Sequence, residues 1–162
     1  TTVSTVTFES KAGTTHFDLV AAGFEATLDG EATGRELSLH DGAHTLVVTS
    51  HDAYNRTGEG LHKFTDPVDN KDYLYTQFEP AMAMKVFACF DQPDLKAPYT
   101  VTVRAPEEWI VTGNGDPLHE GGGQWRLATT KPLSTYFVTV CAGPYVQQRD
   151  TWRGPAVDGF NI

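Results

Sequence analysis

Side-chain alternation at period two runs through most of this chain, and it is the feature that most restricts the fold. Val6 and Phe8 alternate with Thr5 and Thr7, and Leu46 and Val48 with Thr45 and Val47. In PYTVTVRAP, Tyr99, Val101 and Val103 face one way while Thr100, Thr102 and Arg104 face the other. STYFVTVCAG repeats the pattern with Tyr136, Val138 and Val140. Thr, Val, Tyr and Phe suit a pleated surface with one face buried. Turn signals separate the runs: Asp29-Gly30, Asp41-Gly42, Asn114-Gly115 and the glycines Gly121 to Gly123. The pattern predicts an all-β protein, a saddle-like antiparallel β-sandwich with one or two short helical turns. Those turns are expected after Pro80, through Ala81 to Met84, and after Pro93, through Asp94 to Lys96.

With 162 residues the chain makes one domain, large enough to bury a core without covalent staples. Residues 1–152 are read as that domain, and 153–162 as a strand end or the start of a connection. The chain begins at Thr1, inside a strand-like segment, which suggests a piece of a longer protein. A net charge of −9 argues against nucleic acid and anionic membranes, whose phosphates call for clustered Lys and Arg. No apolar run reaches membrane-spanning length and no signal peptide is visible. Cys89 and Cys141 each sit among apolar neighbours and read as buried free thiols, which fits a reducing, cytoplasmic setting.

Most candidate chemistry resolves into ordinary structure. Two histidines four residues apart clamp zinc when a helix puts both on one face. In His40-Asp41-Gly42-Ala43-His44 an Asp-Gly turn lies between two strand-like runs, so the imidazoles are expected to diverge as exposed turn residues. Asp66, Asp69, Asn70 and Asp72 lack the D-x-D-x-D-G grammar of a calcium loop and read as a solvated loop with side-chain-to-backbone bonds. Gly121 to Gly123 follow no strand–helix phosphate pattern and read as a hairpin tip. Neither the cysteines nor Ser38 and Ser134 show the context of a nucleophile. His62 is expected to pack or to bond to backbone, with contact to a cleft as the lesser alternative.

The segment from Tyr73 to Ala97, YLYTQFEPAMAMKVFACFDQPDLKA, is different. Gln77 and Glu79 stand two apart in a β-prone aromatic stretch, so they share one strand face and Phe78 takes the other. Polar groups displayed together amid Tyr73, Tyr75, Phe78 and Phe87 suit the grip of a small charged ligand at a cleft wall. An alternative is that Glu79 caps the turn beginning at Pro80 or pairs with Lys85.

The segments GEGLHKFTDPVDNKDYLYTQFE (Gly58 to Glu79) and VFACFDQPDLKA (Val86 to Ala97) resemble the N-terminal domain of the zinc aminopeptidases of the aminopeptidase N family, its bacterial members in particular. The resemblance extends from the first strands to about Tyr145. It implies a largely β domain packed against a thermolysin-like catalytic domain that is missing from this chain. It also implies that Glu79 binds the α-ammonium of a peptide with a free N-terminus and that Gln77 lines the pocket for its first side chain. A carboxylate bonded to an ammonium is a strong charge-assisted contact, and it sets the distance from amine to scissile carbonyl. The family's zinc is held by H-E-x-x-H and a later Glu, beside a G-x-M-E-N motif; none of these occurs here, so no metal site and no catalytic residue is expected in this chain, which alone is inactive. One departure concerns Met82, which stands where the family usually has an acid and is either natural or introduced.

The competing readings are a non-catalytic β-sandwich binding module, with Trp109, Trp125 and Trp152 as an aromatic platform, and a scaffold descended from a peptidase. Alternating apolar neighbours favour core or edge packing for Trp109 and Trp125. A surface made to meet a catalytic domain would be apolar and exposed here, which invites self-association.

Overall fold

A computed structural model describes residues 1–148, so Trp152 and the segment 153–162 lie outside the described residues. The structure is all-β and antiparallel. Its strands are β1 (Thr2–Ser10), β2 (Gly13–His16), β3 (Phe24–Leu28), β4 (Glu31–Thr33), β5 (Glu36–Leu39), β6 (Gly42–Ser50), β7 (Gly60–Thr65) and β8 (Asp72–Gln77). They continue with β9 (Val101–Arg104), β10 (Ile110–Gly113), β11 (Pro117–Gly121), β12 (Gln124–Leu127) and β13 (Val140–Gly143). Ladders join them into sheets of order β1-β6-β3-β4, β10-β13-β8-β7, β11-β12-β9 and β2-β5.

The alternation in the sequence maps directly onto burial. In β6, Leu46 and Val48 are buried while Thr45 is exposed; in β9, Val101 and Val103 face inward and Thr102 and Arg104 outward. The register of β1 on β6 pairs Val6 with Leu46 and Ser4 with Val48, so the inner face of this sheet carries Val6, Phe8, Leu46 and Val48. It covers Phe17, Leu19 and Leu37, with Phe8, Phe24 and Phe90 packed around them. Each such fully buried side chain stabilises the fold by about 1.5–3 kcal/mol. A second cluster, Leu74, Val111, Leu127 and Ala142, lies under the β8 and β12 sheets and takes in Trp109 and Trp125. A third, Phe78, Ala83, Cys89 and Val138, fills the region where the chain leaves β8.

The segment after β8 joins the first sheet to the second. Asp18 and Cys89 exchange backbone hydrogen bonds of 2.8 and 3.2 Å, the Val20 N–H donates to the Met84 carbonyl, and the Asp91 N–H to the Asp18 carboxylate. Asp91 in turn accepts from the Met84 N–H and from the buried Thr135 hydroxyl.

Local chemistry explains where the elements start and stop. The β3–β4 hairpin turns at Asp29-Gly30 with φ of 52° and 88°, the double positive φ of a type I′ turn. Three expectations from the sequence shift. The turn after Pro80 becomes a 3₁₀ turn at Ala83–Lys85, three residues later, and the Pro93 segment is a simple turn with the Leu95 N–H bonded to Gln92. STYFVTV is not one strand, because Thr135–Phe137 forms a 3₁₀ turn and the ladder begins only at Val140. The Ser134 hydroxyl donates to the Pro93 carbonyl and Thr135 to Asp91, and these bonds hold the backbone out of the sheet.

Candidate functional site

Gln77 ends β8, and Phe78 and Glu79 follow it out of the sheet. Phe78 is 2% exposed, held among Ala83, Cys89 and Val138 with the Phe87 ring edge-on at 5.7 Å. That anchor points inward, while Gln77 at the strand end and Glu79 in the turn that follows are both exposed. The register of β7 on β8 pairs His62 with Tyr75 and Phe64 with Tyr73. These four residues therefore lie on the same face as Gln77, and the row Phe64, Tyr73, His62, Tyr75 leads up to it. Phe87 does not join that wall; it packs in the core behind it.

No ion pair engages Glu79 among the described residues. Lys85, the partner it might have taken, pairs instead with Glu59. Nor does Glu79 cap the following turn, whose N-cap residue is Met82 with no side-chain cap bond. The packing of Phe78 thus accounts for the backbone here, while the fold supplies no local task for the Glu79 carboxylate. Met82 packs against Phe78, Ala83 and Cys89, so an apolar residue at that position has a structural use.

The other candidates take defined places. The His62 Nδ1 accepts the Gly58 N–H at 2.9 Å and the ring sits 4.9 Å from Tyr75, which is the backbone-bonded role expected of it. Asp66 and Asp69 accept the backbone N–H groups of Val68 and Lys71, Asp69 also takes the Tyr73 hydroxyl, and Asp72 takes the Thr65 hydroxyl and pairs with Lys63 at 2.7 Å. Lys63 and Thr65 hold the Asp72 carboxyl below its usual range, and the Tyr73 and Lys71 donors do the same for Asp69. This loop spends its acidic oxygens on its own turn. Gly121 to Gly123 form the β11–β12 hairpin tip. Trp109 and Trp125 are half-buried in the core, and His119 stacks on Trp125 at 4.5 Å. Cys89 is buried and Cys141 half-buried; both are free, and burial pushes both thiols up. No helix among the described residues is long and apolar enough to cross a membrane.

One expectation is overturned. His40 and His44 do not diverge: their ring centroids are 4.2 Å apart, and both approach Asp29. β5 and β6 belong to different sheets, and the chain reverses at Asp41-Gly42 so sharply that residue 44 folds back over residue 40. His44 is also buried, not an exposed turn residue. Asp29 was not singled out from the sequence, because its turn is remote from the histidines along the chain; the signal was the ladder that lays β3 on β6.

The fold agrees with comparisons to known proteins. Residues 5–137 match the peptidase M1 N-terminal domain. Aminopeptidase N of Streptomyces lividans is 41% identical over 156 residues, covering 88% of this chain and 18% of that protein. Aminopeptidase N of Acetobacter pasteurianus is 33% identical over 135 residues, 75% of this chain and 38% of that protein. The native leukotriene A4 hydrolase of Saccharomyces cerevisiae superposes with a TM-score of 0.63 over 87% of this chain and 26% of its own, at 18% identity, a likeness of fold. The chain thus spans well under half the length of these relatives. By the match over residues 5–137 and its identity to both bacterial enzymes, the chain belongs to the M1 peptidase family, as its N-terminal domain.

Proposed function

We propose that this chain is the substrate-anchoring part of a zinc-dependent aminopeptidase that removes N-terminal residues from peptides. Glu79 binds the substrate's free α-ammonium, Gln77 lines the pocket of its first side chain, and the β domain braces the catalytic domain. The observation that carries the reading is that Gln77 and Glu79 are both exposed, with Phe78 buried between them in sequence and no ion pair on Glu79 among the described residues. A carboxylate that the fold leaves unengaged can give its full charge-assisted bond to an ammonium. Fixing that amine sets the register of the first peptide bond and so favours release of one residue at a time.

The chain's own residues do not fit the family's zinc. It has no H-E-x-x-H, and among the described residues no grouping of His, Cys, Asp or Glu donors gathers around Gln77 and Glu79. Hydrolysis in this proposal therefore belongs wholly to the rest of the protein, and the chain contributes binding and orientation. Free thiols at Cys89 and Cys141 support a reducing, cytoplasmic location. Exposed Phe64 and Tyr75, on the face that carries Gln77, support self-association of the isolated chain through the surface that would meet the catalytic domain.

The test is made on the full-length protein with aminoacyl reporters of varied first side chain. Gln77→Ala is expected to reorder preference among reporters, and Glu79→Gln to depress all of them. If Gln77→Ala lowers every reporter by the same factor, the pocket role is wrong.

A further inference from the structure

The three donors brought together at the corner between β5 and β6 form a set that the peptidase reading does not use. The Asp29 Oδ2 lies 2.7 Å from the His44 Nδ1 and 3.9 Å from the His40 Nε2. One donor atom from each of the three residues lies within 4.8 Å of the others.

What distinguishes this cluster from a chance meeting of polar side chains is how its outer atoms are held. The His44 Nε2 is 3.1 Å from the His40 carbonyl, and the His40 Nδ1 is 2.9 Å from the Asp41 carbonyl. A carbonyl only accepts, so both of those nitrogens carry hydrogen. With both rings neutral, the lone pairs of the His44 Nδ1 and the His40 Nε2 face Asp29; with His44 protonated, its Nδ1–H donates to the Asp29 Oδ2 at 2.7 Å, and a metal ion has to displace that proton. Asp29 is oriented in the same way: its Oδ1 accepts the Thr45 N–H at 2.7 Å, and its own N–H donates to the Thr45 carbonyl at 2.9 Å. Every member has its far side bonded to backbone, and the near atoms lie within 4.8 Å of one another. Metal-binding histidines characteristically donate their second N–H to a carbonyl or carboxylate in this fashion.

Two lone-pair nitrogens and a carboxylate oxygen facing one another repel unless a cation lies among them. A proton on His44 joins that residue to Asp29 alone and leaves His40 at 3.9 Å. A metal ion joins all three. We propose that Asp29, His40 and His44 bind a late first-row divalent ion such as Zn²⁺ or Co²⁺, at a site separate from the hydrolytic centre of the family. Two imidazoles and one carboxylate favour these ions over Mg²⁺ and Ca²⁺, which prefer all-oxygen shells. Tetrahedral bond lengths of about 2.0–2.2 Å place neighbouring donor atoms about 3.3 Å apart. The observed 2.7 and 3.9 Å separations bracket that value, and the His40 and Asp29 side chains are 69% and 38% exposed. The same exposure leaves the remaining position to solvent. Bound there, the ion clips the β3–β4 turn to the start of β6 and acts on structure.

The test is a Co²⁺ titration of the 162-residue chain, which has no H-E-x-x-H to compete, followed by visible absorption and calorimetry, with Zn²⁺ displacement. One ion per chain is expected, with the ring resonances of His40 and His44 shifted or broadened. His40→Ala removes an exposed side chain and should leave the fold intact while weakening binding about tenfold or more. Asp29→Asn keeps a residue type that tolerates the turn's positive φ and should weaken binding comparably. His119→Ala, elsewhere on the surface, should change nothing. Absence of saturable binding at millimolar Co²⁺ or Zn²⁺, or binding that survives His40→Ala unchanged, would overturn the assignment.

Discussion

Replacing Phe78 by Ala tests whether the core behind β8 sets the orientation of the residues around it. Phe78 is 2% exposed and packs on Ala83, Cys89, Val138 and the Phe87 edge. Removing a ring from such a site loses its transfer free energy and leaves a cavity, and costs about 3–5 kcal/mol. Neighbours that are mostly small or tied to backbone, such as Ala83 in the 3₁₀ turn and Cys89 in its bridge to Asp18, have little freedom to close that cavity. The upper half of the range is therefore expected. With a urea dependence of about 2 kcal/mol per molar, the unfolding midpoint should fall on the order of 2 M. Glu79→Gln, one residue away but exposed and without an ion pair, should stay within about 0.5 kcal/mol of wild type. A Phe78→Ala loss below about 1 kcal/mol at unchanged urea dependence would refute the claim that this side chain anchors the segment.

Other outcomes follow from the same contacts. Thr135→Val should cost about 1–3 kcal/mol in denaturant unfolding, because the Asp91 carboxylate would lose its buried hydroxyl donor. At the β7–β8 loop, the bond to Asp69 raises the Tyr73 phenol to about 12. In an NMR titration Asp69→Asn should return it toward 10, its ordinary value. The sign at the acid end is opposite. Asp69 and Asp72 titrate below their ordinary range, so the stability they add is present above about pH 3.9 and is lost as pH falls through the lowered values. Asp72→Asn should flatten that limb of the stability curve.

The legible parts of this fold were those governed by local rules. Alternation located β1, β6 and β9 because burial of one face imposes a period of two wherever a strand lies on a core. The Asp-Gly and triple-glycine turns were readable because positive φ restricts the residues allowed there. The same alternation failed at Thr135–Phe137, where hydrogen bonds to Asp91 and Pro93, both remote in sequence, decide the backbone. At the candidate site, parity anticipated an outward Gln77 and a buried Phe78, whereas Glu79 lies beyond β8 in a turn that parity does not govern and is exposed there. Parity could not show that Lys85 would choose Glu59 and leave Glu79 unpaired, since Glu59 arrives from before β7. The Asp29, His40 and His44 cluster was hidden for a related reason. A helix template was the wrong test for two histidines that a sharp corner brings together, and Asp29 reaches them only through the pairing of β3 with β6.

The measurement closest to the central claim is kcat/KM of the full-length protein for a leucyl reporter, wild type against Glu79→Gln, with stability recorded alongside. A charged hydrogen bond to an ammonium contributes about 1.5–3 kcal/mol, so a fall of about tenfold to a hundredfold is expected at unchanged stability. An unchanged kcat/KM would contradict the amine-anchor role and leave the domain as a brace for its neighbour.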